Sequence, residues 1–317
     1  MDWLYFVCVK SAELTPVTHG KSILSDLQAN KDAFHSLYFI AVAFLGAFGI
    51  YFVRRRTRSM EESSAVATKQ FELSELTRIN DQYVRSVDQL GNDRTEVRLG
   101  GLYGLIHVAE ASKEFQTQVV ELLAAYIRKN ATEAKLTTAD GAGRVEEVQA
   151  ALNILGRVYV GHTPAINLKD AYLKNCVLHG YFAGIDFSGA TMIGVDCSQA
   201  DLSDSLLIGV KLGNSTCVET NFTNADITNA HFTSRATCAG ANFYGAICVG
   251  ANFINADCSR TCFSHAKMDN ANFRKTDCTK ADFSYLHGDG DNWKVRFTDV
   301  ETAGIVTDGT NTKHIEM

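Results

Sequence analysis

Three hydrophobic patterns follow one another along this 317-residue chain. Residues 34 to 53, FHSLYFIAVAFLGAFGIYFV, are almost wholly apolar, and after His35 the next ionisable side chain is Arg54. Residues 59 to 90 contain neither Gly nor Pro, and Leu73, Leu76, Tyr83, Val84, Val87 and Leu90 recur at helical spacing. From Ile166 the period becomes five. Apolar centres fall at Leu168, Leu173 and Leu178. After a one-residue deletion they run Phe182, Phe187, Met192, Cys197, Leu202, Leu207, Leu212, Cys217, Phe222, Ile227 and Phe232. After a one-residue insertion they run Cys238, Phe243, Cys248, Phe253, Cys258, Phe263, Met268, Phe273, Cys278 and Phe283.

The first pattern predicts a transmembrane helix. Twenty helical residues span about 30 Å, the thickness of a bilayer's hydrocarbon core. Tyr38 and Tyr51 sit near its ends, where aromatic rings favour the interface. Arg54, Arg55, Arg56 and Arg58 follow it, and the positive-inside rule then places the rest of the chain in the cytoplasm. A cleaved signal peptide would carry its charge before the apolar run, not after it. Ala43 and Ala47 make a small-xxx-small pair, a common pattern of low weight. The opening MDWLYFVCV is apolar but too short to span; an interfacial segment and a free tail both stay open.

The second pattern predicts a small helical domain. One helix ends at Gly91. Asp93 and Glu96 fit a capping box for the next, with Val97, Leu99, Leu102, Leu105, Ile106 and Val108 behind it. A third helix covers about 115–129, where Arg128 and Lys129 suit the negative C-terminal end. After the polar linker ATEAKLTTADGAG, Val145, Val148, Leu152 and Leu155 mark a fourth.

A period of five fits neither a helix nor a strand, and needs a chain that turns a corner every five residues. Two residues before most centres stands a small residue, such as Ala171, Ala190, Ala225 or Ala266, with a polar one between, as in Ala-Asn-Phe at 241–243, 251–253 and 271–273. Four corners close a square coil, and coils stack at about 4.8 Å. Centres twenty apart then form ladders: a cysteine ladder (Cys197, Cys217, Cys238, Cys258, Cys278), two phenylalanine-rich ladders on opposed faces, and a mixed one. The 24 centres imply six coils and a rod of roughly 30 Å. Outward residues such as Asn229 are expected to tolerate substitution.

This A-(D/N)-(L/F)-x-x tandem resembles the pentapeptide-repeat proteins, which implies a mainly β fold, a right-handed quadrilateral β-helix. The stretches QLGNDRTEVRLGGLYGL (89–105), VVELLAAYIR (119–128) and VQAALNILGR (148–157) resemble bacterial pentapeptide-repeat proteins with an N-terminal transmembrane segment. The resulting expectation is a short extracytoplasmic segment (1–33), a transmembrane helix (34–53), a juxtamembrane helical domain (54–160), the β-helix (161–287) and a C-terminal cap and tail (288–317). In that tail Trp293, Val295, Phe297, Val300, Ile305 and Val306 are apolar enough to cover the last coil, with the residues after Thr307 loose.

Charge and candidate chemistry narrow the function. The net charge of −6 argues against a general nucleic-acid binder. Some soluble pentapeptide-repeat proteins act as DNA mimics on a topoisomerase, but a mimic needs a strongly acidic rod. Between 165 and 287, nine Lys and Arg against eleven Asp and Glu leave only −2. Eight of the nine cysteines follow residue 175, and most read as buried small hydrophobes rather than zinc ligands. Cys262 precedes a centre and should point outward. His162, His179, His231, His265 and His287 are scattered. Gly100–Gly101 lacks a phosphate-loop fingerprint and reads as close helix packing. No catalytic, cofactor-binding or metal-ligating residue is assigned. The reading is a non-enzymatic scaffold on the bacterial inner membrane, N-terminus outside, in a stress or defence setting. Its partners are membrane lipid and an unidentified protein on the rod; self-association stays open. A membrane-perturbing oligomer and a DNA mimic are the alternatives.

Overall fold

The computed structural model describes residues 22–138, 141–161, 166–288, 294–307 and 315–316. The MDWLYFVCV stretch, His162 and Trp293 lie outside the described residues. The chain forms two compact units, Met1–Glu75 and Leu76–Met317.

Helix α1 spans Ser22–Leu90 without a break at the expected boundary after residue 53. Its most apolar window has a mean hydropathy of 2.1 and none of it is buried. Among the described residues this is the one helix long and apolar enough to cross a membrane. Arg58 pairs with Glu62 one turn on, at 3.3 Å, and both are exposed.

In the second unit the end of α1 packs with α2 (Thr95–Ala111), α3 (Lys113–Asn130), the short α4 (Glu133–Leu136) and α5 (Gly141–Val158). The apolar stripes expected from the sequence meet here: Leu102, Leu105 and Val108, Val119, Leu123 and Ile127, and Val148, Leu152 and Leu155 are all buried. Close approach depends on glycine, though not on Gly100. A Cβ on Gly101 would lie 2.7 Å from the Ser86 carbonyl oxygen, and one on Gly104 would collide with the Ser86 hydroxyl. The Asp93–Glu96 capping box does not form. The N-cap is Arg94, without a side-chain cap bond. The turn is held instead by Asn92, whose Oδ1 accepts from the Arg94 N–H at 2.9 Å, and by Arg98, which donates to the Asn92 carbonyl at 2.7 Å.

From Ile166 the chain winds as a four-sided parallel coil. Each residue before a centre pairs with its counterpart on the next layer, as in Tyr181, Asp201, Asn221, Asn242, Cys262, Asp282 and Val306. The step is 20 residues. It falls to 19 across the predicted deletion (Asn167↔Asp186) and rises to 21 across the predicted insertion (Thr216↔Thr237).

Nearly every backbone N–H in a repeat has an identifiable acceptor. Taking the Phe187 repeat, the Phe187 and Gly189 N–H groups donate to the next coil (Leu206, Ile208), and the Asp186 N–H donates to the previous one (Ile166). The Ala190 N–H closes the corner on the Phe187 carbonyl. The Ser188 N–H donates to the Asp186 side chain at 3.0 Å. That last bond explains the Asp or Asn before so many centres: its side chain bonds the N–H two residues on and caps the corner. The corner itself needs positive φ two residues after the centre, as a type II turn requires. Gly189 (72°), Asn224 (57°) and Asn229 (55°) supply it. The residue closing the turn faces the lumen and is usually small, as Ala190 and Ala225 are, though Ile185, Val195 and Val210 also fit there. Where it is Thr, its hydroxyl bonds a carbonyl of the previous coil, as Thr261 does to Cys238 at 2.9 Å.

The lumen is filled. Phe222, Phe243, Phe263 and Phe283 stack at 4.6 to 5.0 Å, and Phe232, Phe253, Phe273 and Phe297 at 4.7 to 5.1 Å. The two ladders meet edge to face at 5.1 to 5.9 Å, a geometry aromatic rings favour.

Both ends differ from open edges. At the first coil the Tyr172 N–H donates to the Ala131 carbonyl at 2.8 Å, and the Tyr181 N–H to the Gly156 carbonyl at 2.9 Å. The Gln149 amide accepts from the Val177 N–H and donates to its carbonyl, both at 2.8 Å, as a neighbouring strand would. At the other end the repeat does not stop at Phe283. His287 pairs with Lys267, and after a step of 24 residues Arg296, Glu301 and Val306 stack on Asn272, Asp277 and Asp282. Each column therefore holds at least seven residues rather than six. The end of the chain, expected to be loose, includes β2 (Ile315–Glu316), which pairs in parallel with β1 (Val295–Arg296). Val295 and Phe297 continue the lumen positions of Ala271 and Phe273, so the backbone ladder continues across the longer step.

Candidate interaction surface

With its lumen packed, the rod can meet other molecules only on its outside. Corner and pre-centre side chains are the ones presented there, and most are polar. One side departs from this. Leu206 and Ile247 stand two layers apart in one column, with Asp226 between them. Ile208, Thr228 and Val249 form the parallel row two residues further along the chain. Leu206, Ile208 and Ile247 are 39 to 40% exposed. Tyr244 lies on the adjoining corner in the layer of Ile247, and is 44% exposed. Below it a ladder of rings continues: Tyr244 to His265 at 5.0 Å, then His265 to Tyr285 at 4.9 Å and nearly parallel. Lone exposed apolar residues mean little, but a contiguous group rimmed by polar side chains marks contact surfaces.

Two pre-centre aspartates are held ionised, Asp186 in the column of Leu206 and Asp196 in the column on the opposite face. Burial pushes the Asp186 carboxyl up, but Ser188 and the Lys169 ammonium at 3.1 Å outweigh it and hold it below the usual range. The Ser198 N–H, then its hydroxyl, do the same for Asp196.

The cysteine ladder lies inside. Cys197, Cys217, Cys238, Cys258 and Cys278 are fully buried, with the first two sulfurs 3.2 Å apart. Burial raises the Cys176 thiol to about 11 and pushes Cys248 higher still, so these groups stay protonated. Cys262 sits in a pre-centre column, partly exposed. Among the described residues no group of three or more His, Cys, Asp or Glu is placed to hold a metal ion. His179, His231, His265 and His287 are all exposed, and only His265 joins the patch.

A second cluster was not anticipated. Glu147 is buried in the helical domain and accepts from Arg98 Nη2 at 2.5 Å, Arg98 Nε at 3.0 Å, Tyr126 Oη at 2.6 Å and Arg144 Nη1 at 3.2 Å. Desolvation pushes the Glu147 carboxyl up, but the bonds from Arg98 and Tyr126 win and lower it. Desolvation and the bond to Glu147 raise the Tyr126 hydroxyl. Only a charged residue on a buried helix stripe, as at Arg98 and Glu147, signals such a pair in sequence.

Residues 166–207, 205–233, 234–270 and 251–285 match the family model of pentapeptide repeats, in eight copies. Solved structures with a similar fold include a pentapeptide repeat protein from the Arabidopsis thaliana thylakoid lumen. It is 28% identical, over 30% of this chain and 69% of that one, with a TM-score of 0.25. HetL of the cyanobacterium Nostoc sp. strain PCC 7120, involved in heterocyst differentiation regulation, is 19% identical over 44% of this chain and 84% of its own, with a TM-score of 0.20. QnrB1, a plasmid-mediated fluoroquinolone resistance protein, is 17% identical over 46% and 86%, with a TM-score of 0.24. No curated protein sequence matches this chain.

Proposed function

We propose that this chain, whose residues 166–285 match the pentapeptide-repeat family model, is a non-enzymatic, membrane-tethered scaffold that binds another protein. The observation that carries this reading is the exposed apolar and aromatic group of Leu206, Ile208, Tyr244 and Ile247 on a rod with a filled lumen. The partner is a protein with an apolar contact face and a cation to meet Asp226. The tether is the apolar part of α1, with the N-terminus outside and the rod in the cytoplasm of a bacterium. The Arg54 to Arg58 flank supports that orientation.

Two experiments test the reading. Full-length protein is purified from detergent-solubilised cells, alongside Leu206→Asp/Ile247→Asp and a control change at Arg260. The double variant is expected to keep its fold and lose a protein that the wild type and control both retain. Equal recovery by all three would remove the patch from the account. For topology, a cysteine-free variant with a single Cys at Thr302 should resist a membrane-impermeant thiol reagent in intact cells. Labelling without lysis would reverse the orientation.

A further inference from the structure

The helical domain carries a cleft that the scaffold reading does not use. It has a volume of about 440 Å³ and opens where the end of α1, α3, α4 and the start of α5 converge. That size falls within the usual range for small-molecule sites. Its two sides differ in chemistry. Val87, Leu90 and Leu122 make one wall apolar, while Lys129, Lys135 and Arg144 bring cations to the other.

Two of the three cations on that side are held in place. The Lys135 ammonium donates to the Lys129 carbonyl, and an ammonium has two further donors to offer. Arg144 is anchored through Nη1 on Glu147, and its side chain remains 36% exposed. Beneath them Arg98 and Tyr126 are locked on Glu147, so the floor is built before any ligand arrives. The charges lining or flooring the cleft are four cations (Arg98, Lys129, Lys135, Arg144) against two anions (Asp93, Glu147), which leaves +2 in a chain of net −6.

We propose that this cleft binds a small phosphate monoester whose ester group is apolar. A monoester carries about −1.5 to −2 charges at pH 7, which matches the local excess, and a carboxylate does not. The ester group would lie on the Leu90 and Leu122 wall, and the phosphate against Lys129, Lys135 and Arg144. Such a group reaches the cleft either as a soluble compound or as the headgroup of a lipid.

The test is isothermal titration calorimetry on the full-length chain in detergent, with phenyl phosphate as probe. One-to-one binding is expected, with inorganic phosphate and phenol each weaker by about tenfold or more. Lys129→Glu/Lys135→Glu, two exposed positions, should weaken phenyl phosphate by about tenfold or more, while Arg260→Glu on the rod should leave it unchanged. Dihexanoyl phosphatidic acid distinguishes the sources: tighter binding than phenyl phosphate assigns a lipid headgroup, and weaker binding a soluble ester. Absence of saturable heat, an unchanged affinity in the Lys129/Lys135 variant, or equal binding of inorganic phosphate would each overturn the proposal.

Discussion

Single residues in the rod fall into two classes that differ in what they cost to change. Phe243 lies between Phe222 and Phe263 and against Phe232 and Phe253, with no exposure. Phe243→Ala should lower stability by ~3–5 kcal/mol, read from denaturant midpoints. Asn229 is outward, yet its φ of 55° makes it a corner residue rather than a neutral one. Asn229→Val is expected to cost ~1–2 kcal/mol, and Asn229→Gly a few tenths at most. Equal effects for Val and Gly would show that the corner conformation carries no constraint. The pattern of apolar centres was legible because five-residue spacing has no rival explanation. The corner positions were not, because Gly, Asn, Asp, Lys and Tyr all occupy them and share no polarity.

Glu147 belongs to the same scale. Its carboxyl is held below the ordinary range in the folded state, so its contribution is present above the unfolded carboxylate value of about 4.3. That contribution is lost as pH falls through the lower folded value. Asp186 and Asp196 act with the same sign. Stability should therefore hold down to about pH 5 and fall steeply below it. Glu147→Gln should cost ~3–5 kcal/mol at pH 7 and flatten the acid limb, because Arg98 is left buried without its counter-charge. An unchanged pH profile would mean that Glu147 is not the group being titrated.

At the scale of elements, the helices were readable from their stripes and the coil from its register, including both one-residue slips. The joints were less readable. The contact between α5 and the first coil rests on Gly156 and Gly180, where a Cβ on Gly156 would collide with the His179 carbonyl and lie 2.8 Å from the Phe182 ring. Nothing in the spacing of those glycines points to each other. Gly156→Ala should cost ~1–3 kcal/mol and loosen amide protection in the first coil before the others. The last coil was hidden for a different reason. Its step is four residues too long, and its lumen positions carry Val295 and Phe297 without the Ala-Asn-Phe signature. Truncation at Gly290 should uncover Phe273 and Phe283, which Phe297 covers at 5.1 Å, and produce self-association in size-exclusion chromatography. A monodisperse truncated protein would show that the added coil is not needed as a cover.

At the scale of the whole molecule, the two units divide the work. The first supplies an exposed apolar helix with an arginine flank; the second supplies a rigid rod closed at its first coil by helices. Such a stack has no interior left for chemistry, which turns attention to its outer faces. The patch was not legible in sequence, because it gathers residues from layers twenty positions apart and no local motif reports it. The most direct test of the scaffold claim is photo-crosslinking in intact cells. A photoreactive amino acid is placed singly at Ile208, at Ile247, and at Ser259 on another face. The account expects the same crosslinked protein from Ile208 and Ile247 and none from Ser259. Crosslinks of equal yield from all three positions, or from Ser259 alone, would contradict it.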